Sequence, residues 1–265
     1  MSVNDFPFDR SVAVVTGGAG GIGQALAARL AAEGTRVAVV DLDLQAAELV
    51  AAGLPGAIGV AADVGDGAAV WAMVEEVEAR LGPIDIYCSN AGVPGGRGLG
   101  DDDDWELSWR VHGMGHVHAA RALMPRMTSR GSGVLVVTAS AAGLLMMMQS
   151  APYTVTKHAA VALTEWLAVT YGGRGVQFHC LCPQGVRTPM LTGSSSGAGE
   201  TEVAASGQIL EPAQVADEVI GAIRANRFLV LPHPEVHDYE TAKVSDRDRW
   251  LSGMRRLLAR LGAQG

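Results

Sequence analysis

Short runs of apolar residues, most of them β-branched, recur along the chain and alternate with longer segments rich in Ala and Leu. The apolar runs are continuous, without a polar residue at every second position, which is typical of strands buried on both faces of a sheet. The segments between them are long enough to contain the helices that connect parallel strands. The predicted strands are residues 12–15, 37–40, 58–62, 84–88, 134–138, 176–182 and 228–231. This alternation predicts an α/β protein with a doubly wound parallel sheet and helices on both faces.

Two of the connecting segments contain helix signals. The longest connection, residues 89–133, includes four consecutive aspartates, Asp101–Asp104, whose carboxylates would cap a helix and favour its positive end. We therefore predict a long helix that begins near these residues, in preference to an acidic binding site. Residues 151–171 are rich in Ala, Val and Leu and predict a second long helix.

The chain shows no internal repeat and no boundary between domains, so residues 1–265 are predicted to form one domain. Residues 192–207 are rich in Gly, Ser and Ala, which predicts a flexible loop that closes over a ligand. Residues 232–265 are interpreted as an irregular tail that ends in a terminal helix.

Composition and charge exclude several classes of partner. The 265 residues are 48% hydrophobic and carry a formal net charge of −8, and Lys and Arg form no basic cluster, so nucleic acid is not expected as a partner. No apolar segment approaches the roughly 20 residues of a membrane span. The N-terminal residues lack the basic start and apolar run of a secretion signal. Three cysteines, Cys88, Cys180 and Cys182, cannot all pair with one another, so we expect a reducing, cytoplasmic location.

A glycine-rich turn follows the first predicted strand and opens a helix. Its glycines fit two registers: Gly18, Gly20 and Gly23 give the pattern GxGxxG, and Gly17, Gly21 and Gly23 give the wider pattern GxxxGxG. Glycines without Cβ atoms let a phosphate approach the backbone, and the free amides at the helix start point at its negative charge. The strand, turn and helix together predict a dinucleotide site.

Asp41 ends the second predicted strand, 18 residues beyond Gly23. An acid at about this distance binds the hydroxyls of the adenosine ribose in dinucleotide-binding folds. The same carboxylate repels a 2′-phosphate. The sequence therefore predicts NAD(H) as the cofactor in preference to NADP(H).

Tyr153 and Lys157 lie four residues apart in the predicted helix 151–171 and would share one of its faces. A neighbouring ammonium favours the phenolate form of a tyrosine, and lowering the pKa from ~10 to near 7 requires ~4 kcal/mol. Ser140 follows the strand at 134–138, at the edge of the sheet where ligands bind. A hydroxyl there can hold a carbonyl oxygen while the phenol moves its proton.

Together these residues resemble the short-chain dehydrogenase/reductase family. The matching segments are TGGAGGIG at 16–23, Asp63-Val64, NAG at 90–92, Ser140, YTVTK at 153–157 and PQGVRTPM at 183–190. The resemblance implies one dinucleotide-binding and catalytic domain, with a Rossmann-type seven-stranded parallel sheet. It also implies a homo-oligomer, either a tetramer or a dimer.

The resemblance implies a role for each matching residue. Ser140 would orient the carbonyl, Tyr153 would act as the acid/base, and Lys157 would lower the Tyr153 pKa and bind the nicotinamide ribose. The implied cofactor-binding residues, besides Tyr153 and Lys157, are Gly17, Gly21, Ile22, Gly23, Asp41, Asp63, Val64, Asn90–Gly92, Pro183, Val186 and Thr188.

The chain departs from the family pattern at two positions. His112 stands where the family has an asparagine whose backbone carbonyl helps to hold a relay water, and it could keep that catalytic role and add a titratable ring. Gln184 replaces a glycine beside the nicotinamide end. We include Gln184 among the candidate substrate contacts, with Met146, Met147 and Gln149, and the methionines favour an apolar ligand.

The predicted function is the reversible oxidation of a small apolar secondary alcohol to a ketone with NAD. One alternative is an NADPH-dependent carbonyl reductase, which Asp41 disfavours. A second alternative is an NAD(H)-binding regulatory protein that has lost turnover, which an intact serine, tyrosine and lysine argue against. His112, His116 and His118 lack a carboxylate or cysteine to complete a ligand set, so no metal site is predicted.

Overall fold

All seven predicted strands are present and parallel. The computed structural model describes residues 6–192 and 208–262. The strands are β1 (Val12–Thr16), β2 (Arg36–Asp41), β3 (Ile58–Ala61), β4 (Ile86–Ser89), β5 (Gly133–Thr138), β6 (Val176–Leu181) and β7 (Leu229–Val230). Their order in the sheet is β3-β2-β1-β4-β5-β6-β7, so the order reverses between β1 and β4. The predicted doubly wound seven-stranded sheet is therefore confirmed.

Helices cover both faces of this sheet. They are α1 (Gly21–Ala32), α2 (Leu44–Ala52), α3 (Gly67–Leu81), α4 (Asp102–Trp109), α5 (Gly115–Arg130), α6 (Ala151–Tyr171), α7 (Pro189–Thr192), α8 (Pro212–Ala225), α9 (Glu235–Ser245) and α10 (Arg247–Gly262). No helix in the described part of the chain is both long and apolar enough to cross a bilayer.

Successive residues of each central strand bury their side chains on opposite faces. Val14 and Val40 belong to the core that packs against α3, α5 and α6. Val15 and Val39 belong to the core that packs against α1, α2 and α8. Both faces are buried, which explains why the strands are continuous apolar runs.

The helix predicted at 151–171 is confirmed as α6, and its start has a local cause. The Ser150 hydroxyl accepts a hydrogen bond from the Tyr153 amide at 3.2 Å, and Pro152 lies in the first turn, where proline fits a helix. This cap fixes the point at which the helix begins and therefore the direction of the Tyr153 side chain.

The long helix predicted from Asp101 is two α-helices joined by a π turn. Asp101 and Asp104 form a reciprocal capping box at the start of α4, as their acidic character predicted. Residues Arg110–Met114 then form a single wider turn before α5 begins. A π turn inserts one extra residue into a helix and often lies at a functional site.

The interpretation of residues 232–265 as an irregular tail that ends in a terminal helix is wrong for residues 235–245 and correct for the terminal helix. Residues 235–245 form α9, and the predicted terminal helix is α10. Pro234, which indicated irregular structure, lies at the N-cap of α9, where a proline does not interrupt helical hydrogen bonds. The loop predicted at 192–207 lies outside the described residues, apart from Thr192 at the end of α7.

Candidate active site

A cavity of about 550 Å³ lies at the carboxyl ends of the strands, where the strand order reverses. Ligands bind in this crevice in open parallel sheets. The glycine turn and Asp41 line one end, and Ser140, Tyr153 and Lys157 line the other. All the predicted cofactor-binding residues line the cavity except Gly23, which is buried beneath the turn.

The conformation of the turn selects the second glycine register. Gly17 and Gly21 have φ values of +61° and +54°, which favour glycine. A Cβ atom on Gly23 would lie 2.0 Å from the Gly17 carbonyl oxygen, whereas one on Gly20 would meet nothing within 4 Å. The turn therefore requires Gly17, Gly21 and Gly23, and also Gly18, whose Cβ would lie 2.7 Å from the Val15 carbonyl oxygen. The start of α1 lines the cavity.

Asp41 connects the end of β2 to the glycine turn. One carboxylate oxygen accepts a hydrogen bond from the Ala19 amide at 3.1 Å, and the other accepts one from the Leu42 amide at 2.8 Å. Each carboxylate oxygen has two lone pairs, so both can still accept a bond from a ligand. Asp63 lies further along this wall and faces the Arg110 guanidinium at 3.6 Å.

A hydrogen-bond network connects the ends of β1, β4 and β5 beneath the cavity. The Asn90 side-chain amide donates to the Thr16 carbonyl at 3.0 Å, and its oxygen accepts from the Thr138 hydroxyl at 3.0 Å. The Lys157 ammonium donates to the Thr138 carbonyl at 2.8 Å. Thr16 and Thr138 were not predicted as site residues, although each is a polar residue that ends an otherwise apolar strand.

Ser140, Tyr153 and Lys157 lie together at the deep end of the cavity. The Tyr153 hydroxyl is hydrogen-bonded to the Ser140 side chain, and the Lys157 nitrogen lies 5.6 Å from the centre of the Tyr153 ring. The Ser140 oxygen also accepts a bond from the Ala142 amide at 3.1 Å, which fixes its position. The Ser140 and Tyr153 hydroxyls can therefore act on the same ligand atom.

Burial dominates the acid–base properties of this group. Burial raises the pKa of Tyr153 above its ordinary value of 10.0, and the bond from Ser140 opposes this rise without reversing it. Burial also lowers the pKa of Lys157 to about 8. The predicted lowering of the Tyr153 pKa by Lys157 is therefore wrong: burial raises this pKa. The Lys157 ammonium is directed at the Thr138 carbonyl.

His112 lies in the π turn and is completely buried beside Tyr153. Its ring stands edge-on to the Tyr153 ring at 5.4 Å between centroids. Its Nε2 accepts a bond from the Val93 amide at 2.9 Å, and its Nδ1 lies 3.0 Å from the Thr156 hydroxyl. Burial and the Lys157 charge lower the pKa of His112 to about 2, so this ring stays neutral near pH 7, against the expectation of a titratable ring.

The predicted substrate residues are only partly present at the cavity wall. Met147, Gln149 and Gln184 line it, together with Met190 and Leu191, which sequence analysis missed. Met146, in the same non-helical segment, does not line the cavity.

His116 does not contribute to a metal site with its neighbours. Its Nδ1 lies 2.6 Å from the Ser89 hydroxyl, and burial lowers its pKa to about 3. Within residues 6–192 and 208–262, no three His, Cys, Asp or Glu side chains are grouped to hold a metal ion.

Comparison with known proteins identifies the family. The family model for short chain dehydrogenases matches residues 11–199. The 1-deoxy-11-beta-hydroxypentalenate dehydrogenase of Streptomyces avermitilis is 36% identical over 237 residues, which cover 85% of each chain, and the meso-2,3-butanediol dehydrogenase of Serratia marcescens is 37% identical over 215 residues, 79% of this chain and 85% of that one. The crystal structure of a short-chain dehydrogenase/reductase from Burkholderia phymatum in complex with NAD superposes with a TM-score of 0.83 at 30% identity, covering 92% of this chain and 96% of that one. The protein therefore belongs to the short-chain dehydrogenase/reductase family.

Proposed function

We propose that the protein oxidises secondary alcohols to ketones with NAD⁺, in a reaction that is reversible. The observation that carries this proposal is the placement of Ser140, Tyr153 and Lys157 at one end of a cavity whose other end holds the glycine turn and Asp41. The first group provides a proton acceptor, and the second provides a site for a dinucleotide. The chain that carries both groups belongs to a family of dehydrogenases.

The residues that line the cavity fit a dinucleotide. The close packing of Gly17 and Gly23 brings the backbone of the turn next to the start of α1, where amides can bind a pyrophosphate. The Asp41 carboxylate can accept bonds from both ribose hydroxyls. Asp63 and Val64 would contact the adenine, and the segment from Pro183 to Thr188 would contact the nicotinamide end. When bound there, NAD⁺ supplies the hydride acceptor.

The chain's own residues would position the alcohol and move its proton. The Ser140 hydroxyl would hold the alcohol oxygen, and Tyr153, as phenolate, would accept the hydroxyl proton. Lys157, whose ammonium is fixed on the Thr138 carbonyl, would bind the nicotinamide ribose. His112 would hold the Tyr153 ring in place through its edge-on contact, without transferring a proton.

Replacement of Ser140 by Ala is expected to move the acid limb of the kcat/KM profile for alcohol oxidation to higher pH. The phenolate is the active base, and the bond from Ser140 lowers the Tyr153 pKa, so removal of that bond raises the pKa further. The rate should also fall by about 10²-fold, because one group that holds the oxygen is lost. The measurement is the pH dependence of NADH formation. Ser245→Ala, at an exposed serine of α9, is the control, and an unmoved acid limb in Ser140→Ala would contradict the assignment.

Replacement of Asp41 by Asn is expected to tighten NADPH binding by about tenfold or more, because a negative charge beside the 2′-phosphate is removed while an acceptor for the Ala19 amide is kept. The unchanged chain should bind NADH more tightly than NADPH. Fluorescence titration with both cofactors measures these dissociation constants. Asp43→Asn, the same change at the exposed cap of α2, should leave the preference unaltered. Tighter binding of NADPH by the unchanged chain would favour the NADPH-dependent reductase.

The substrate class follows from the wall beyond Tyr153. Met147, Met190 and Leu191 make this end apolar, so a small apolar alcohol is expected. The relatives are named as dehydrogenases of a hydroxypentalenate and of butanediol, and both names describe alcohols. A panel of linear, cyclic and terpenoid secondary alcohols, assayed by NADH formation, tests this proposal; absence of turnover with every member would favour the regulatory alternative.

A further inference from the structure

The chain has two lysines, and both are buried. Lys157 belongs to the active site, whereas Lys243 lies on α9, none of whose residues lines the cavity. The Lys243 side chain nevertheless points toward the active-site region. Its ammonium donates to the Leu144 carbonyl at 2.5 Å and to the Leu145 carbonyl at 3.0 Å.

The third partner of this ammonium is a histidine on the catalytic helix. The Lys243 nitrogen lies 3.2 Å from Nε2 of His158. The Nδ1 of His158 lies 2.8 Å from the Thr154 carbonyl, so Nδ1 carries the proton and Nε2 accepts from the ammonium. All three N–H donors of Lys243 are therefore used. They attach α9 both to the segment at Leu144 and Leu145 and to α6 at His158.

Both segments lead to the cavity wall. Leu144 and Leu145 follow the short 3₁₀ turn Ala141–Gly143 that begins at Ser140. The chain continues to Met147, which lines the cavity and whose amide donates to the Thr154 hydroxyl at 2.9 Å. The Lys243 contacts therefore hold the segment between the catalytic serine and the predicted substrate wall, directly at its carbonyls and indirectly through His158 and Thr154.

A lysine is an uncommon choice for this position if it serves only to attach a helix. Burying an ammonium is costly unless every donor is paired, and an apolar side chain would attach α9 without that cost. The three directed bonds define the position of the Leu144 and Leu145 carbonyls, which apolar packing does not do. The ring of Trp250, on α10, lies 5.4 Å from the same nitrogen and covers it.

We propose that Lys243 is a positioning residue for substrate selection: it fixes the segment from Leu144 to Met147 and thereby the shape of the substrate end of the cavity. This inference rests on the proposed alcohol dehydrogenase function for its kinetic consequence. Its structural part concerns only the order of residues 141–149 and can be measured without a substrate.

The test compares Lys243→Met with Val236→Ala in the full chain. Met keeps most of the length of the side chain but has no donors, whereas Val236 is a fully buried residue of the same helix that makes none of these hydrogen bonds. We expect Lys243→Met to change the ratio of kcat/KM values for a small and a bulky secondary alcohol by at least about fivefold. Because the cofactor end is untouched, the dissociation constant for NADH should stay the same. Val236→Ala should lower the melting temperature and leave the ratio unchanged.

Hydrogen exchange measured by mass spectrometry supplies the second readout. Lys243→Met should speed exchange in residues 141–149, and Val236→Ala should not. If both variants have the same selectivity ratio and the same exchange in this segment as the unchanged chain, the proposal is overturned. If the unchanged chain oxidises no alcohol, the proposed function fails, and the exchange experiment still decides whether Lys243 orders the wall. Should Lys243→Met not fold, Thr154→Val breaks the same chain of contacts at Met147 and is expected to give the same two changes.

Discussion

Replacement of Tyr153 by Phe is expected to lower kcat for alcohol oxidation by about 10²- to 10⁴-fold, the usual contribution of a positioned acid/base group. The change removes only the hydroxyl that bonds Ser140 and keeps the ring that packs edge-on against His112. NADH affinity and melting temperature should therefore change little. Steady-state kinetics, fluorescence titration with NADH and thermal unfolding measure the three quantities.

The same helix offers a matched control for this experiment. Tyr171 ends α6, about five turns from Tyr153, and packs against Trp166 outside the cavity. Tyr171→Phe should retain full activity. If Tyr153→Phe turned over alcohols as fast as Tyr171→Phe, the proton-transfer role of Tyr153 would be wrong, although the dinucleotide site could still be correct.

Replacement of Gly23 by Ala is expected to weaken NADH binding by about 100-fold or more and to destabilise the fold by about 1–3 kcal/mol. The added Cβ would lie 2.0 Å from the Gly17 carbonyl oxygen and 2.7 Å from the Asn90 side-chain nitrogen. The first of these is a backbone atom, so α1 must move away from the turn, and the start of α1 then leaves its position at the cavity wall. NADH titration and urea unfolding measure the two effects.

Two other glycines separate this steric effect from the general effect of adding a methyl group. Gly20 lies in the same turn with nothing within 4 Å of its would-be Cβ, so Gly20→Ala should lose only the stability, less than about 1 kcal/mol, by which alanine is the poorer N-cap of α1. Gly221 lies within α8 and is equally open. Gly221→Ala should stabilise the protein by up to ~1 kcal/mol, because alanine is the better helix former. Equal losses of stability at Gly20 and Gly23 would show that the turn does not have the packing described.

The sequence correctly predicted those helices whose ends are determined by capping residues close by in the chain. The helix at 151–171 was correct because Ser150 and Pro152 supply a cap and a first turn within three residues. The helix at 235–245 was missed because Pro234 is equally compatible with a loop and with a helix start. Only the packing of that helix decides between the two, since Val236 is buried in the core and Lys243 bonds a distant segment.

The site residues could be predicted from the sequence where a residue type, at a given place in the fold, has one chemical use. The grouping of Ser140, Tyr153 and Lys157 followed from a strand end and a helical spacing of four residues. The pKa directions did not follow, because burial is a property of the assembled structure, and burial is the largest cause of the shift at both Tyr153 and Lys157. The neutral state of His112 also depends on assembly, since both ring nitrogens are occupied by groups from other segments.

The π turn at Arg110–Met114 has a consequence for the geometry of the whole helix pair. A regular α-helix advances about 100° per residue, so loss of the one extra residue in this turn would rotate every following side chain of α5 by about that angle relative to α4. The imidazole that now faces the phenol of Tyr153 from this turn would then leave that position. The length of the chain at this point, as much as the identity of residue 112, therefore determines which side chain contacts the Tyr153 ring.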